Sequence, residues 1–173
     1  WNEDATAMPK VTLTIPDDLN YELIYRQVRR AAFGADECTV EGFFFLTSPL
    51  HLLPHAKALK AAAGLPGLLK ALLKLCTPSR YHYGIIEDGQ ALHLAWATVG
   101  HCRHYRVESD AATIGPIWTS GKSRGRGLAT KATKAGINAL INQGSTIFYI
   151  DTQKQNLASQ RVIEKAGFGP PIG

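Results

Sequence analysis

The sequence predicts an α+β domain in which a mixed, mostly antiparallel sheet is flanked by helices on both faces. A two-residue turn, Asp88-Gly89, separates two alternating apolar segments, Tyr81–Glu87 and Ala91–Val99, which indicates an antiparallel hairpin. Helical and extended patterns then alternate along the rest of the chain. A length of 173 residues, with 45% apolar and 19% charged side chains, fits a single globular domain.

A strand and a helix are predicted to open the domain. Val11–Ile15 alternates like a short strand, which Pro16 interrupts. Asp17 or Asp18 can then cap a helix that runs to about Phe33.

Two short helices are predicted between this first helix and the hairpin. Gly34–Thr47 is expected to be irregular or partly extended. Within Leu50–Cys76, Pro54 can open the first of the two helices, and Gly64–Gly67 separates it from the second. We expect the apolar face of the second helix to pack on the sheet, and a surface that contacts lipid or an acyl chain is the alternative. That face comprises Leu65, Leu68, Leu69, Leu72, Leu73 and Cys76.

The second half of the chain predicts a strand over Ala111–Thr119, bent at Gly115-Pro116. The elements that follow are a glycine-rich loop, a helix over Leu128–Asn142, a strand over Thr146–Asp151, a helix over Asn156–Ala166 that Gly167 ends, and an extended tail from Phe168.

Composition limits the classes of function. No apolar stretch is long enough to cross a bilayer, so stable membrane insertion is not expected. Cys38, Cys76 and Cys102 lack the spacing of a metal site, which favours reduced thiols in a cytoplasmic protein and no metal. The net charge is +5, but no aromatic-basic motif points to nucleic acid. Residues 1–8 are expected to be disordered or added and to lie outside the domain.

A glycine-rich loop, Ser120–Ala129, carries the strongest functional signal. The loop opens a predicted helix, whose first amides have no partners inside the helix. Gly125 and Gly127 allow the backbone to approach a ligand closely. These amides and the helix dipole together form a site for an anion. The cations beside them are Lys122, Arg124 and Arg126, which suits a small polyanion.

Two other kinds of glycine-rich loop do not fit this context. A Walker loop needs Lys and Ser or Thr after its last glycine, where this chain has Leu128 and Ala129. A dinucleotide-binding loop follows the first strand of a βαβ unit and precedes an acidic residue by about 20 positions, and neither condition is met.

Two blocks of the sequence resemble motifs of the GNAT superfamily of N-acetyltransferases. Lys122–Gly127 resembles motif A, Gln/Arg-x-x-Gly-x-Gly/Ala, with Lys122 in place of the usual Gln or Arg. Asn156–Phe168 resembles motif B, Asn-x-x-Ser/Ala closing in Lys-x-Gly-Phe. The blocks have the order and spacing of the family, and the resemblance covers Tyr81–Phe168.

The resemblance implies a GNAT-like fold in one domain, residues 9–173. Residues 81–168 would form the acetyl-CoA-binding core, and the divergent residues 9–80 would shape the acceptor side. The strand before the loop would splay from the next strand and hold the pantetheine arm, while the loop would bind the pyrophosphate. The residues implied to bind the coenzyme are Ile117, Trp118, Thr119, Lys122, Ser123, Arg124, Gly125, Arg126, Gly127, Leu128, Ala129, Thr130, Asn156 and Ser159.

The activity that the resemblance implies is direct transfer of an acetyl group from acetyl-CoA to a primary amine of a small molecule or peptide. Transfer of a longer acyl chain and a non-catalytic acyl-CoA-binding or regulatory module are the alternatives. Many relatives use a tyrosine on the last helix as an acid, where this chain has Ile163. In a subset of the family, a serine three residues after the motif B asparagine is proposed for this role, so the resemblance implies Ser159 as the catalytic acid. The sequence does not separate the candidate bases, which are Glu87, His93, His101, His104 and Glu108.

The end of the sequence predicts abbreviated C-terminal strands. GNAT domains usually continue through two further strands after Gly-Phe, but this chain stops at Gly173. The strand Thr146–Asp151 would then expose an edge that natural folds cover. We therefore expect the chain to form a homodimer, to use a partner or to belong to a longer polypeptide, with Leu65–Cys76 as a second surface for association.

Overall fold

A computed structural model describes residues 22–172, and in them a six-stranded sheet has helices on both faces. The strands are β1 (Glu22–Val28), β2 (Phe43–Leu46), β3 (Arg80–Glu87), β4 (Gln90–Val99), β5 (Ala112–Thr119) and β6 (Ile147–Gln153). The α-helices are α1 (Ala35–Cys38), α2 (Ala56–Leu75), α3 (Leu128–Asn142) and α4 (Leu157–Lys165), with 3-10 turns at Leu50–His55 and Gly121–Ser123.

The strand order is β1-β6-β5-β4-β3-β2, and β5 with β6 is the parallel pair. This arrangement confirms the predicted mixed, mostly antiparallel sheet. The predicted hairpin is β3–β4, and both residues of its turn have positive φ, 50° at Asp88 and 72° at Gly89.

The helix predicted to end near Phe33 is wrong over the described residues, because Glu22–Val28 forms β1. This strand pairs antiparallel with β6 along its whole length, from Glu22 opposite Gln153 to Val28 opposite Ile147. The β6 edge offers backbone partners that a helix cannot use, and Ile24 and Tyr25 bury their side chains on opposite faces. The predicted strand Val11–Ile15 lies outside the described residues.

A kink divides α2 at Gly64, whose φ of 70° and ψ of 177° are not helical. The predicted separation into two helices is therefore confirmed, with both parts running as one element along the sheet. The predicted apolar face of the second part is correct for Leu68 and Leu72, but it is wrong for Leu65, Leu69, Leu73 and Cys76, which are exposed. The residues that face the sheet are Leu68, Ala71, Leu72 and Leu75, while Leu65, Leu69 and Leu73 are 52%, 51% and 73% exposed.

The two largest apolar clusters of the described residues lie on opposite faces of the sheet. Under α3 and α4, the larger cluster includes Ile114, Ile137, Phe148 and Ile163. Under α2, the smaller one includes Leu59 and Leu75 with partly buried Leu94 and Trp96. Residues of β4 and β5 therefore point alternately to the α3–α4 face and to the α2 face.

The strands β5 and β6 separate after a short parallel pairing. Only Ala112–Ile114 of β5 pairs with Phe148–Ile150 of β6. The register of β5 against β4 shifts beside Gly115-Pro116, which confirms the predicted bend. From Ile117 to Thr119, β5 pairs with β4 alone, as expected for the splayed strands.

The other edge of β6 is covered by β1, so the sequence-based argument for an exposed β6 edge is wrong. The cover comes from the N-terminal side of the described residues and not from the tail. Residues 166–172 form no strand, although the Ile172 amide donates a hydrogen bond to the Ile24 carbonyl at 2.7 Å.

Candidate active site

The splay opens into a cleft of about 740 Å³, here named the loop cleft, between β5, the glycine-rich loop, α3 and α4. Eleven of the fourteen coenzyme-binding residues implied by the sequence line it: Ile117, Thr119, Ser123, Arg124, Gly125, Gly127, Leu128, Ala129, Thr130, Asn156 and Ser159. Trp118, Lys122 and Arg126 are outside this lining. Trp118 faces α2, Lys122 is exposed, and a guanidinium nitrogen of Arg126 lies 3.7 Å from a carboxylate oxygen of Glu87.

The glycine-rich loop presents bare backbone to this cleft. Gly125 and Gly127 have φ of 78° and 73°, and a Cβ on either would meet no atom within 4 Å. α3 begins directly after Gly127 and has no side-chain cap on its first amides. The buried Ser123 accepts a hydrogen bond from the Ser120 hydroxyl at 2.7 Å, which fixes the start of the loop. The arrangement leaves amides of the first turn free to bind an anion.

Positive charge surrounds these amides. Arg124, Lys131, Arg161 and Lys165 line the loop cleft. Among the described residues, Glu37 is the one carboxylate in this lining, and it is paired with Lys134. The charge and the free amides together suit a ligand with several phosphate oxygens.

The backbone of β5 offers a further set of partners along the cleft. The Ser120 amide donates to the Leu92 carbonyl of β4 at 3.0 Å. Because hydrogen bonds alternate along a strand, the backbone groups of Ile117 and Thr119 point the other way, towards the side that β6 leaves open. An extended, amide-containing ligand could pair with them.

A second cleft of about 690 Å³, here named the sheet cleft, lies on the α2 face. It crosses the sheet from Glu22 of β1 to Arg80 of β3, below α2 and beside residues 101–104. The two clefts share three lining residues, Ile117, Asn156 and Ser159. The splay is therefore a passage through the sheet, with α4 beginning at its side.

Asn156 is the N-cap of α4, as predicted, since its Oδ1 accepts a hydrogen bond from the Ser159 amide at 3.1 Å. Ser159 is half-buried between the two clefts, and its hydroxyl is not used by this cap. Ile163 is fully buried in the core, so α4 has an apolar side chain at the position of the tyrosine described above for many relatives.

The structure separates the five candidate bases. His101 and His104 line the sheet cleft. His93 is fully buried, where burial lowers its pKa to about 4, and Glu87 lies beside Arg126. Although burial raises the pKa of Glu108, hydrogen bonds from its own backbone, Tyr149 and Arg26 hold it below the usual value.

Asp151 lines the sheet cleft beside Asn156 and Ser159, although no sequence motif marks it as a site residue. Its Oδ2 accepts a hydrogen bond from the Tyr105 hydroxyl at 3.0 Å. Burial raises the pKa of Asp151, against the opposing effects of Tyr105 and His104. Strand alternation was the available signal. Because Ile150 points into the core under α3 and α4, the next residue, Asp151, points to the α2 face.

A smaller apolar pocket of about 240 Å³ lies between α2 and the strands β4 and β5. It adjoins the passage through Ile117 and is lined by no Asp, Glu, Lys or Arg among the described residues. Its histidine, His82, is stacked on Trp96, and burial lowers the pKa of His82 to about 4, so the ring is neutral.

Residues 22–172 contain no cluster of His, Cys, Asp and Glu that could hold a metal ion. Over the same residues, no helix combines the length and apolar character needed to cross a bilayer.

Comparisons with known proteins give a family match for the chain and solved structures with a similar fold. A family model described as an acetyltransferase (GNAT) domain matches residues 54–169. A GNAT-family acetyltransferase from Colwellia psychrerythraea has a similar structure, with a TM-score of 0.61, 17% identity, and coverage of 92% of this chain and 54% of its own. A GNAT-family protein from Novosphingobium aromaticivorans has a TM-score of 0.53 and 19% identity, and the match covers 95% of this chain and 65% of that protein. The chain therefore spans less than two thirds of either protein.

The aminoglycoside N-acetyltransferase AAC(6')-Iy in complex with CoA gives a TM-score of 0.58 and 21% identity, and the match covers 77% of this chain and 91% of that enzyme. No curated protein sequence gives a significant match.

Proposed function

Because the chain belongs to the GNAT acetyltransferase family, we propose that it is an N-acetyltransferase that uses acetyl-CoA and acts on a primary amine of a small molecule or peptide. The observation that carries the proposal is the meeting of two clefts at Ile117, Asn156 and Ser159. One cleft has the amides and cations for a pyrophosphate, and the other has room for an acceptor. The passage between them suits a thioester that must face both.

In this proposal the pyrophosphate binds the amides of the first turn of α3 together with Arg124. The pantetheine arm pairs with the free backbone groups of Ile117 and Thr119. Complexes of AAC(6')-Iy with CoA and with a bisubstrate analogue support a coenzyme-binding role for this fold.

In the chemical step the amine nitrogen attacks the thioester carbonyl, the new C–N bond replaces the C–S bond, and the amine gives up a proton. An ordinary alkylamine is mostly protonated at pH 7, and neutralising it costs roughly 4.6 kcal/mol. We assign proton removal to Asp151, because it lies in the sheet cleft and its pKa is raised by burial. The departing sulfur receives a hydrogen bond or proton from Ser159.

The test combines calorimetry with a transfer assay. Acetyl-CoA should bind, and its thiol should be released only when an amine is present, with the acetylated amine identified by mass spectrometry. Arg124→Glu should weaken binding at least about tenfold, the size of one charge-assisted contact. Arg126→Glu is the matched change at an arginine beside Glu87 and should weaken binding less. Equal affinity in the wild type and the Arg124→Glu variant would remove the coenzyme assignment.

The apolar pocket favours a second candidate, transfer of a longer acyl chain. The pocket is lined by Ile117, and its volume of about 240 Å³ is large enough for a short alkyl chain. Rates with acetyl-, butyryl- and hexanoyl-CoA would separate the two candidates. Ala71→Leu narrows the pocket and should slow the longer donors more than acetyl-CoA, if they are the substrates.

A further inference from the structure

The two ends of the sheet cleft carry opposite charge. Glu22 of β1 and Asp151 of β6 lie at one end, close to Asn156 and Ser159. Lys70 and Lys74 of α2 and Arg80 of β3 lie at the other end, with Arg103 as a further cation. From β6 to β3 the sheet spans three strand spacings, about 14 Å. The separation is longer than a single contact and matches an extended small molecule.

The cations at this end have no carboxylate partner among the described residues, whose salt bridges use Arg26, Arg126 and Lys134. Lys74 and Arg80 are half-buried, and the Lys74 ammonium lies 4.6 Å from the centroid of the Trp96 ring. Burial lowers the pKa of Lys74, and the positive charges of Lys70 and Arg80 lower it further. Like charges held close together repel one another, and an anion that binds between them reduces this repulsion.

The acidic end is suited to an amine. Glu22 lies in β1 opposite Gln153, and it lines the sheet cleft together with Asp151 of the neighbouring strand. Two carboxylates on adjacent strands attract a cation, and an ammonium group between them would lie beside Ser159.

We propose that the acceptor is an amine that also carries an anionic group, a carboxylate or a phosphate, which binds Lys70, Lys74 and Arg80 while the amine lies between Glu22 and Asp151. This assignment rests on the proposed transferase function and names its substrate class. A polycationic amine is disfavoured, because its distal charges would meet the cations of α2 and β3.

Matched acceptors test the assignment in the transfer assay. β-Alanine and 6-aminohexanoate are compared with their primary amides, 3-aminopropyl phosphate with 3-aminopropanol, and spermidine serves as the polycation. At least one acid should exceed its neutral counterpart about tenfold in kcat/KM, the effect of one charge-assisted contact. The carboxylate and phosphate pairs identify which anion is preferred.

Variants connect the preference to the cations. Lys74→Gln and Arg80→Gln should each reduce the ratio of kcat/KM for the acid to that for its neutral counterpart. Lys60→Gln is the matched control, since Lys60 is exposed on α2 and does not line the sheet cleft. An unchanged ratio in both test variants would overturn the assignment of the anion to these residues.

The assay also separates this inference from the function on which it rests. Equal or better transfer to the neutral amines or to spermidine would overturn the substrate class and leave the transferase intact. Absence of transfer to every amine, with acetyl-CoA still bound in calorimetry, would overturn the transferase function and the substrate class together.

Discussion

Ser159 combines an amide that takes part in a helix cap with a hydroxyl that makes no hydrogen bond to the described part of the chain. The amide is held by the Asn156 cap, while the side chain lies at the junction of the two clefts. Ser159→Ala therefore leaves the cap intact and removes only the hydroxyl. We expect kcat to fall at least about tenfold with affinity for acetyl-CoA nearly unchanged, because an acid that assists the leaving thiolate acts in the transition state.

Single-turnover kinetics and calorimetry measure the two quantities separately. Ser159→Thr keeps a hydroxyl and should recover part of the rate. A loss of affinity with unchanged kcat would make Ser159 a binding residue.

Two buried histidines should make stability depend on pH. Burial lowers the pKa of His82 and of His93 to about 4, whereas an unfolded chain has a histidine pKa of about 6.5. The unfolded state therefore binds protons first as pH falls. The stabilisation is complete above about pH 6.5 and is lost as pH falls towards 4, by roughly 3 kcal/mol for each histidine at most.

Urea unfolding of His93→Gln and the wild type between pH 8 and 4.5 measures this effect. The variant should lose less stability over the acidic range, and the difference between the two proteins should be constant at pH 7 and 8, where the buried rings are neutral. Parallel curves over the whole range would contradict the assignment to His93.

The residues that sequence reasoning placed in the loop cleft were recognisable because their chemistry is local. Gly125 and Gly127 lie within one turn of a helix start, so pattern and neighbours define the anion site together. Asp151 gave no such signal. Its place in the sheet cleft depends on the splay of β5 from β6 and on Tyr105, which is 46 positions away in sequence.

The secondary-structure elements were predictable where local turns or caps define them. They were less predictable where contacts distant in sequence determine the structure. The β3–β4 hairpin, α3 and the Asn156 cap follow from Asp88-Gly89, the loop glycines and motif B. Residues 22–28 form a strand because β6 supplies a partner that no local pattern contains. In α2, leucines occupy most of the circumference, so periodicity alone did not identify the side that meets the sheet.

The packing of α3 on the sheet depends on a close approach at Gly136. A Cβ at this position would lie 2.6 Å from the Tyr83 ring, which is fully buried and cannot move away freely. Gly136→Ala should therefore destabilise the fold by about 1–3 kcal/mol, despite the better helix propensity of alanine. Chemical denaturation measures the change. Gly169→Ala is the control, because its Cβ would meet nothing within 4 Å, and a destabilised control with a neutral Gly136→Ala would contradict the packing argument.

Across the whole molecule, the family match extends further than the motifs suggested. The resemblance began at Tyr81, whereas the match begins at residue 54 and so includes α2. This helix forms the roof of the sheet cleft and supplies two of its cations. The part of the sequence without recognisable motifs therefore contains Glu22, Lys70, Lys74 and Arg80, four of the five residues on which the proposed acceptor preference depends. Their place in the cleft depends on packing and not on a local pattern.

Association is the property that the corrected topology changes most. The β6 edge is covered by β1 and no longer favours a dimer, but Leu65, Leu69 and Leu73 form an exposed stripe along α2. Contiguous apolar surface of this kind favours contact with another molecule.

We expect concentration-dependent self-association through the stripe in sedimentation at micromolar protein. Replacing the three leucines with glutamine should abolish it, whereas Leu157→Gln, at a separate exposed leucine on α4, should not. A monomer in the wild type across this range would exclude the stripe as a homodimer surface.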